Sequence, residues 1–319
     1  MNSSPVPTTL TVPTTLSDCW FLTGPTAGGK TTIGLELAGL INAEIVSLDS
    51  MAIYRHLDIS TAKPTTKQRA QIAHHLLDIV EPNEEYSLAS YVVAAESCVR
   101  QLRQRGKEAL FVGGTPLYLK ALLRGIFSGP PADWDFRREV AAEVQRVGAE
   151  ALHARLAQVD PLSAHKLHPH NVRRIIRALE VYKITGQPIS HLQMQFDEGR
   201  AAEDCRVFTL RWPRQELHAR IDRRVDRMFA QGLVDEIRSV REKYGDVSRT
   251  AAQAVGFREV VSLLQHECDE TETVRRVKVR TRRFARRQET WFRGLSECRF
   301  VPRTDDTPAR EVAAQIAGM

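Results

Sequence analysis

The stretch Gly24-Pro-Thr-Ala-Gly-Gly-Lys-Thr31 decides the fold, because it matches the pattern G-x-x-x-x-G-K-[ST] at every constrained position. A short apolar run typical of a strand, residues 19–23, stands before it. After it, residues 32–40 carry apolar side chains at helical spacing. Because strand, loop and helix follow one another in the order that this motif requires, the sequence predicts a phosphate-binding loop on an α/β core with a parallel sheet.

The residue types of this loop suit a polyphosphate. Its glycines allow consecutive backbone N–H groups to point at an anion, and the following helix adds its positive N-terminal end. Lys30 supplies a cation for the terminal phosphate oxygens, and the Thr31 hydroxyl is placed to bind Mg²⁺. The alternative is a glycine-rich turn that binds nothing. The predicted phosphate-binding residues are Gly24, Pro25, Thr26, Ala27, Gly28, Gly29, Lys30 and Thr31.

Asp49 is the candidate catalytic base. It ends the strand-like run of residues 43–49, and the ligands of an open α/β sheet bind beyond the carboxyl ends of its strands. We therefore expect Asp49 beside the phosphate loop, as a base or as a partner of the metal. The alternatives are a helix N-cap and a structural ligand of metal-bound water.

The end of a later strand bears on the chemistry. Residues 108–112 have the apolar character of a buried strand, and Gly113-Gly114-Thr115 follows. In many nucleotide hydrolases an acidic residue at this point organises Mg²⁺ and water. Two glycines instead permit a bulky ligand to approach the backbone, and Thr115 offers a hydroxyl. The sequence therefore disfavours an ATP-hydrolysing motor.

The chain is long enough for two lobes, since single cores rarely grow beyond about 250 to 300 residues. One stretch has helical patterns and almost no strand pattern, which predicts a mostly helical insertion domain. The beginning of the chain is rich in Pro, Thr and Ser, which predicts a disordered tail. The predicted order is the tail 1–18, the first part of the core 19–129, the insertion 130–200, the return to the core with basic C-terminal helices 201–300, and a C-terminal tail 301–319.

Basic residues are concentrated in two places, although the net charge is only +6. The predicted C-terminal helix, residues 271–293, holds nine lysines and arginines. A second cluster consists of Arg173, Arg174 and Arg177. Both clusters suit a polyanion such as a nucleic acid, and the alternative for each is a solvated helix face.

A third set of arginines lies on a helix predicted for residues 214–231. The spacing of Arg220, Arg224 and Arg227 places their guanidinium groups on one face. Guanidinium groups bind phosphate oxygens bidentately, so Arg220 and Arg224 are candidate ligands of a diphosphate.

Cysteines and hydropathy exclude several classes of protein. The five cysteines are far apart and form no C-x-x-C pair, which argues against a zinc site and against a disulfide framework. No apolar run approaches the length of a membrane span, and the N-terminus lacks the features of a secretory signal. We therefore expect a cytoplasmic protein without a membrane partner.

Several motifs together carry a resemblance to a known family. Besides the phosphate loop they are Ser47-Leu-Asp-Ser-Met-Ala-Ile-Tyr54, Asp58-Ile-Ser-Thr-Ala-Lys-Pro64, His75-Leu-Leu-Asp78, Val112-Gly-Gly-Thr-Pro-Leu-Tyr118, Arg174-Ile-Ile-Arg-Ala-Leu-Glu180 and Arg286-Arg-Gln-Glu-Thr-Trp-Phe-Arg293. In this order, from about residue 19 to about residue 300, the chain resembles the bacterial tRNA dimethylallyltransferases. That family transfers a dimethylallyl group from dimethylallyl diphosphate to N6 of adenosine 37, next to the anticodon of tRNA.

The resemblance implies roles for individual residues. The loop would hold the diphosphate with Mg²⁺. Asp49 and Thr115 would be the catalytic residues, with Asp49 serving the adenine amino group. The partners would be the anticodon stem-loop of tRNA and dimethylallyl diphosphate, bound by a monomer. The chain departs from the family in having Gly28 where serine is usual. The residues implied to contact tRNA are Asp49, Ser50, Met51, Ala52, Thr115, Arg137, Arg173, Arg174, Ile175, Ile176, Arg177, Gln253, Ala254, Val255, Gly256, Phe257 and Arg258.

Three other functions compete with this one. A small-molecule kinase with a phosphate loop would share Lys30 and Thr31, but it leaves the arginine clusters unexplained. A prenyltransferase could use free AMP or ADP as its acceptor. A non-catalytic RNA-binding ATPase is disfavoured by the end of the strand at Gly113-Gly114-Thr115.

Overall fold

In this computed structural model the described residues are 9–10, 16, 18–127, 129–193 and 199–319. Cα packing divides the chain into two units, and we describe each by itself. The helical unit consists of Met1–Val12 and Arg124–Glu198, and the sheet unit of Pro13–Leu123 and Gly199–Met319. Most of the predicted tail 1–18 lies outside the described residues. No described helix has the length and apolar character to cross a membrane.

The sheet unit contains a six-stranded parallel sheet, in the order β4-β3-β5-β2-β7-β8. Its central strand is the one that leads into the phosphate loop, and its neighbours are β5 and β7. All the carboxyl ends therefore lie at the same edge, where α/β proteins bind their ligands. The strands are β1 (Thr9–Leu10), β2 (Trp20–Thr23), β3 (Ala43–Leu48), β4 (His74–His75), β5 (Glu108–Gly113), β6 (Ile126–Phe127), β7 (Val207–Arg211) and β8 (Cys298–Pro302).

The α-helices agree closely with the helical patterns of the sequence. The pattern over residues 136–159, predicted as two helices, forms one run in which Gly148 has non-helical torsion angles. The α-helices are α1 (Lys30–Leu40), α2 (Asp58–Thr61), α3 (Thr66–Gln71), α4 (Leu88–Gln104), α5 (Pro116–Arg124), α6 (Trp134–Val159), α7 (Pro161–Lys166), α8 (Val172–Thr185), α9 (Ile189–Leu192), α10 (Arg214–Ala230), α11 (Leu233–Tyr244), α12 (Phe257–Leu264), α13 (Glu270–Arg293) and α14 (Ala309–Ala317).

Two predictions about the sheet unit need correction. The apolar pattern of residues 76–80, after two histidines, predicts a short strand there. The strand β4 is instead formed by His74 and His75 themselves, because Leu76 and Asp78 have φ values of 58° and 55° and turn the chain away from the sheet. The predicted tail 301–319 instead completes β8 and forms α14. The apolar side chains of α14 pack into the same core cluster as those of α1, which explains why this segment is ordered.

Candidate active site

The phosphate loop occupies the link between β2 and α1. Gly24 and Gly29 have φ values of 139° and 84°, which residues with a Cβ atom rarely adopt. Gly29 forms the N-cap of α1, so the helix begins at Lys30, as the motif predicts. The loop lines a cleft of about 1170 Å³ in the sheet unit, and its other walls come from the ends of β3 and β5 and from α10 and α13.

Lys30 reaches back along the loop. Its Nζ donates hydrogen bonds to the carbonyl oxygens of Gly24, at 3.0 Å, and Pro25, at 2.8 Å. Burial removes the ammonium group from water and Arg224 adds a like charge, so the pKa of Lys30 falls to about 7, although Asp49 opposes the change. The loop therefore holds a cation that a bound phosphate would stabilise.

This pKa predicts proton uptake when a diphosphate binds. The free site loses the Lys30 proton above about pH 7, and an anion beside the ammonium raises the pKa again. At pH 8 each binding event should therefore take up part of a proton, and the contribution of Lys30 to affinity should fall up to about tenfold per pH unit above pH 7. Titration calorimetry with inorganic diphosphate, in buffers of different ionisation enthalpy, measures this uptake.

The matched control is Lys30→Arg, because arginine keeps its charge across this range. We expect the variant to take up less proton at pH 8 than the wild type. Equal uptake by both proteins would show that the protons go to the diphosphate itself, and would contradict the lowered pKa of Lys30.

The predicted arginine face of α10 borders the cleft, where Arg220, Arg224 and Arg227 all line the wall. Arg220 Nε donates to the Ala27 carbonyl oxygen at 2.9 Å, and its guanidinium lies over the Trp212 ring and pairs with Asp305. Arg224 makes no hydrogen bond or ion pair with any other described residue, and burial lowers its pKa. The geometry thus presents Arg224 as a free cation for an anionic ligand.

Asp49 lies in the cleft and also caps the backbone that follows it. Its Oδ1 accepts hydrogen bonds from the N–H groups of Met51, at 2.8 Å, and Ala52, at 3.3 Å. Its Oδ2 has no hydrogen-bond partner within the described part of the chain. The predicted base and the alternative N-cap-like role therefore coexist: one oxygen fixes the carboxylate while the other remains available.

Thr115 contributes to the site through the backbone of the Asp49 segment. Its Oγ1 accepts a hydrogen bond from Ser50 N at 3.0 Å, and its own N–H donates to the Leu48 carbonyl oxygen. It is not among the residues that line the cleft. The Thr115 side chain therefore helps to position the Asp49 segment, and its catalytic contact stays a prediction.

The two glycines after β5 serve the packing of the protein itself. A Cβ on Gly113 would lie 2.0 Å from the Leu48 carbonyl oxygen, and one on Gly114 would lie 2.5 Å from Gln288 Nε2. The sequence predicted close approach of a ligand here. The groups that approach within the protein are the neighbouring strand β3 and a side chain of α13, while both glycines also line the cleft, so the approach of a ligand stays a prediction.

Gln288 is the site residue that sequence reasoning missed. Its side chain is 3% exposed and lines the cleft. Its Oε1 accepts a hydrogen bond from Thr26 N at 2.9 Å, and its Nε2 donates to the Gly114 carbonyl oxygen at 2.6 Å. The only available signal was its place in the motif at residues 286–293, because nothing local shows that a helix 262 residues away reaches the loop.

Gly28 has a structural consequence in this chain. A Cβ at this position would lie 2.8 Å from the Pro25 carbonyl oxygen, which is closer than real Cβ contacts. Trp212 Nε1 donates a hydrogen bond to the Gly28 carbonyl oxygen at 3.0 Å. The backbone is therefore packed closely around Gly28, and a serine at this position would require the backbone to shift.

The far end of the cleft is organised by Lys63, whose side chain is 1% exposed. Its Nζ donates to the Tyr54 carbonyl oxygen and to the carboxylates of Asp58 and Asp78. Burial raises the pKa of Asp78, but hydrogen bonds from Lys63 and Arg69 outweigh it and leave the pKa below its usual value. These ion pairs fix the segment 58–64, which begins with the short helix α2.

The arginines predicted to bind tRNA in the helical unit have different environments. Arg137 donates two hydrogen bonds of 2.8 Å to the buried carboxylate of Glu180, and Arg177 binds the same carboxylate. These two arginines stabilise a buried acid, which occupies their donors. Arg173 and Arg174, in contrast, are exposed at the start of α8.

Buried residues in the predicted tRNA-binding segments need a correction. Ile175 and Ile176 are 0% and 8% exposed and pack in the core of the helical unit. Ala254 and Phe257 are buried in a core cluster of the sheet unit. These buried side chains serve packing, so RNA contacts of their segments would come from backbone groups or from exposed side chains such as Arg258, and these contacts stay a prediction.

The basic helix α13 carries both paired and unpaired arginines. Arg275 and Arg276 bind Glu272 of the same helix. Arg280 and Arg282 pair with Glu259 and Asp222. The exposed arginines of α13 that make no ion pair with any described residue are Arg283, Arg286, Arg287 and Arg293.

Two aromatic side chains stand beside these unpaired arginines. Phe284 and Trp291 are 37% and 38% exposed, and the Arg287 guanidinium lies 5.8 Å from the centre of the Phe284 ring. Phe284 also lines the cleft. Exposed aromatic rings among cations suit single-stranded nucleic acid, whose bases stack on them.

Several known proteins are similar to this chain in sequence. A family model described as IPP transferase matches residues 52–295. A tRNA dimethylallyltransferase of Rhodopirellula baltica is 45% identical, over 95% of this chain and 93% of its own length. Another, tRNA dimethylallyltransferase 1 of Trichlorobacter lovleyi, is 43% identical, over 92% of this chain and 96% of its own length.

Two solved structures are similar to the whole fold. The tRNA isopentenylpyrophosphate transferase of Bacillus halodurans is 35% identical, with a TM-score of 0.67, 95% of this chain covered and 96% of that one. A eukaryotic dimethylallyltransferase acting on tRNA is 26% identical, with a TM-score of 0.76, 94% of this chain covered and 77% of that one. With a phosphate loop and a positioned aspartate in one cleft, this chain belongs to the family of the tRNA dimethylallyltransferases, or IPP transferases.

Proposed function

We propose that this enzyme transfers the dimethylallyl group of dimethylallyl diphosphate to N6 of adenosine 37 in the anticodon stem-loop of tRNA. The observation that carries the proposal is that the phosphate loop and Asp49 line the same cleft. Their closeness is also visible in the pKa of Lys30, which Asp49 acts to raise. We further propose that it acts as a monomer, in the cytoplasm where tRNA is found.

The reaction needs help at both reacting atoms. The N6 lone pair is delocalised into the adenine ring, so N6 is a weak nucleophile. As N6 attacks C1 of the dimethylallyl group, the N–C bond forms and the C1–O bond to the diphosphate breaks. Asp49 Oδ2 accepts a hydrogen bond from N6–H and then the proton, which leaves the product neutral at nitrogen. The diphosphate departs with the bonding electrons.

Positively charged groups of the cleft would stabilise the negative charge that develops on the leaving diphosphate. Lys30, Arg224 and the loop residues 26–31 all line the cleft where this charge would form. Preorganised donors of this kind commonly supply the largest part of catalysis. The Thr31 hydroxyl lines the cleft without a side-chain hydrogen bond to any described residue, so it fits Mg²⁺ carried with the diphosphate, which would neutralise part of its charge.

Access to N6 requires an extruded base. An adenosine stacked within the anticodon loop cannot present N6 to an aspartate in a cleft, so the base must leave the stack. The exposed face of α13, with Phe284 at the cleft wall, supports binding of the unstacked loop nearby. Phosphate contacts from its unpaired arginines would set the position of the RNA.

The unpaired arginines of α13 predict a salt effect. The double variant Arg286→Ala/Arg287→Ala should weaken tRNA binding and reduce the slope of log Kd against log salt by about 1.5, because each phosphate contact contributes about 0.7 to 0.9. Fluorescence titrations of a labelled anticodon stem-loop at several KCl concentrations measure the slope.

The double variant Arg275→Ala/Arg276→Ala is the control, because it removes the same charge from the same helix at arginines already paired with Glu272. Its slope should stay close to that of the wild type. Equal losses in both double variants would mean that net charge alone attracts the RNA, and that the exposed face of α13 makes no particular contact.

The substrates are tested with dimethylallyl diphosphate labelled in the dimethylallyl group. The protein is incubated with this donor and one acceptor at a time: an unmodified tRNA, AMP or ADP. We expect the label in tRNA alone. Label in AMP or ADP would support prenyl transfer to free nucleotides. In a parallel incubation with ATP labelled at the γ-phosphate, transfer of that label to a small molecule would support a kinase; either result would overturn the proposal.

A further inference from the structure

We call the space enclosed by the phosphate loop, residues 24–31, the phosphate cradle. Its end nearest Lys30 is closed by the side chain of Gln288. In a loop of this type the lysine reaches the terminal phosphates, so the position of Lys30 Nζ marks the terminal end. A Cβ built on Gly114 would lie 3.4 Å from Lys30 Nζ and 2.5 Å from Gln288 Nε2, which places ammonium and amide close together. Gln288 therefore stands where a chain of phosphates would continue.

The hydrogen bonds of Gln288 hold it there. Its amide spans two elements, from the loop at Thr26 to the end of β5 at Gly114, and the side chain is buried. The Thr26 N–H, being donated to Gln288, is no longer directed at an anion. Displacing this amide would leave two buried backbone groups without partners, which disfavours the displacement.

We infer that Gln288 is a specificity-determining residue, which limits the cradle to two phosphates and so excludes nucleoside triphosphates. This inference rests on the proposed function, because a prenyl diphosphate needs room for two phosphates where ATP needs room for three. It explains how a loop typical of ATP-binding proteins holds a different donor in a cell rich in ATP. The Gln288 amide thus lowers the affinity of the loop for nucleoside triphosphates, which would otherwise compete with the prenyl diphosphate.

Calorimetric titration with inorganic diphosphate and inorganic tripolyphosphate tests the inference without requiring turnover. The wild type should bind diphosphate at least about tenfold more tightly than tripolyphosphate, since the longer anion must displace the amide. In Gln288→Ala the end of the cradle is open, and the two affinities should come within about threefold, mainly because tripolyphosphate binds more tightly.

The control is Thr290→Ala, on the same helix, because Thr290 is exposed and bonds only within α13. It should keep the preference of the wild type. Gln288→Asn serves where the alanine variant does not fold, because it keeps an amide at this position but is one methylene shorter and so withdraws from the end of the cradle. It too should lose most of the preference.

The outcomes separate the inference from the proposed function. A wild type that binds both anions equally, or a Gln288 variant that keeps the full preference, would overturn the inference and reduce Gln288 to a support for α13. A wild type that binds neither diphosphate nor dimethylallyl diphosphate would instead overturn the proposed function.

Discussion

Replacing Asp49 with asparagine should lower the rate of dimethylallyl transfer to bound tRNA by about 100- to 10,000-fold, the usual contribution of a general base. Asparagine keeps an oxygen that can accept hydrogen bonds from Met51 N and Ala52 N, so the backbone of the segment should stay in place. It cannot accept the N6 proton. Single-turnover measurements with enzyme in excess over tRNA report this step.

Asp49→Ala separates the two roles of this carboxylate. Alanine removes the proton acceptor and the cap together, so we expect the same loss of rate and a fall in the free energy of unfolding of about 0.5–2 kcal/mol. The affinity for tRNA should change by no more than about threefold in either variant. If Asp49→Asn reacted at nearly the rate of the wild type, Asp49 would be only a cap and the base would have to be another group.

Replacing Lys30 with methionine should lower the rate of transfer by about 100- to 1,000-fold and weaken diphosphate binding by a similar factor. The side chains are close in length, but methionine carries no charge for the leaving diphosphate. Burial already disfavours the charged form of Lys30 in the free site, as its lowered pKa shows. Folding should therefore tolerate the apolar replacement, and thermal denaturation should show a cooperative transition near that of the wild type.

Lys67→Met is the matched control, because Lys67 is exposed on α3 and does not line the cleft. Its rate and its diphosphate affinity should equal those of the wild type. If Lys30→Met retained diphosphate affinity while folded, the loop would not be the donor site, and the leaving group would have to depart elsewhere.

Local patterns predicted much of the fold and the donor side of the site. The phosphate loop is contiguous, so its glycines, Lys30 and the start of α1 could be inferred from the sequence alone. Asp49 followed from topology, because parallel strands bring their carboxyl ends together. The arginine face of α10 followed from helical spacing, and all three of its predicted members line the cleft.

What sequence patterns could not predict depends on partners distant in the chain. Exposed and paired arginines look alike in a sequence, and only the buried Glu180 shows that Arg137 and Arg177 have structural partners. The apolar residues of the short helix α14 are mostly alanines, which give a weak hydrophobic signal, so its packing against α1 was not visible. Gln288 reads as one polar residue of a basic helix until its contacts with Thr26 and Gly114 are known.

The central claim is that a cleft built around a phosphate loop uses a prenyl diphosphate as an alkyl donor. The most direct measurement digests tRNA after reaction with dimethylallyl diphosphate and identifies the nucleosides by liquid chromatography and mass spectrometry, while released diphosphate is counted. We predict N6-(dimethylallyl)adenosine from position 37, with one diphosphate released for each nucleoside formed. Unmodified adenosine at position 37, with the donor intact, would contradict the account.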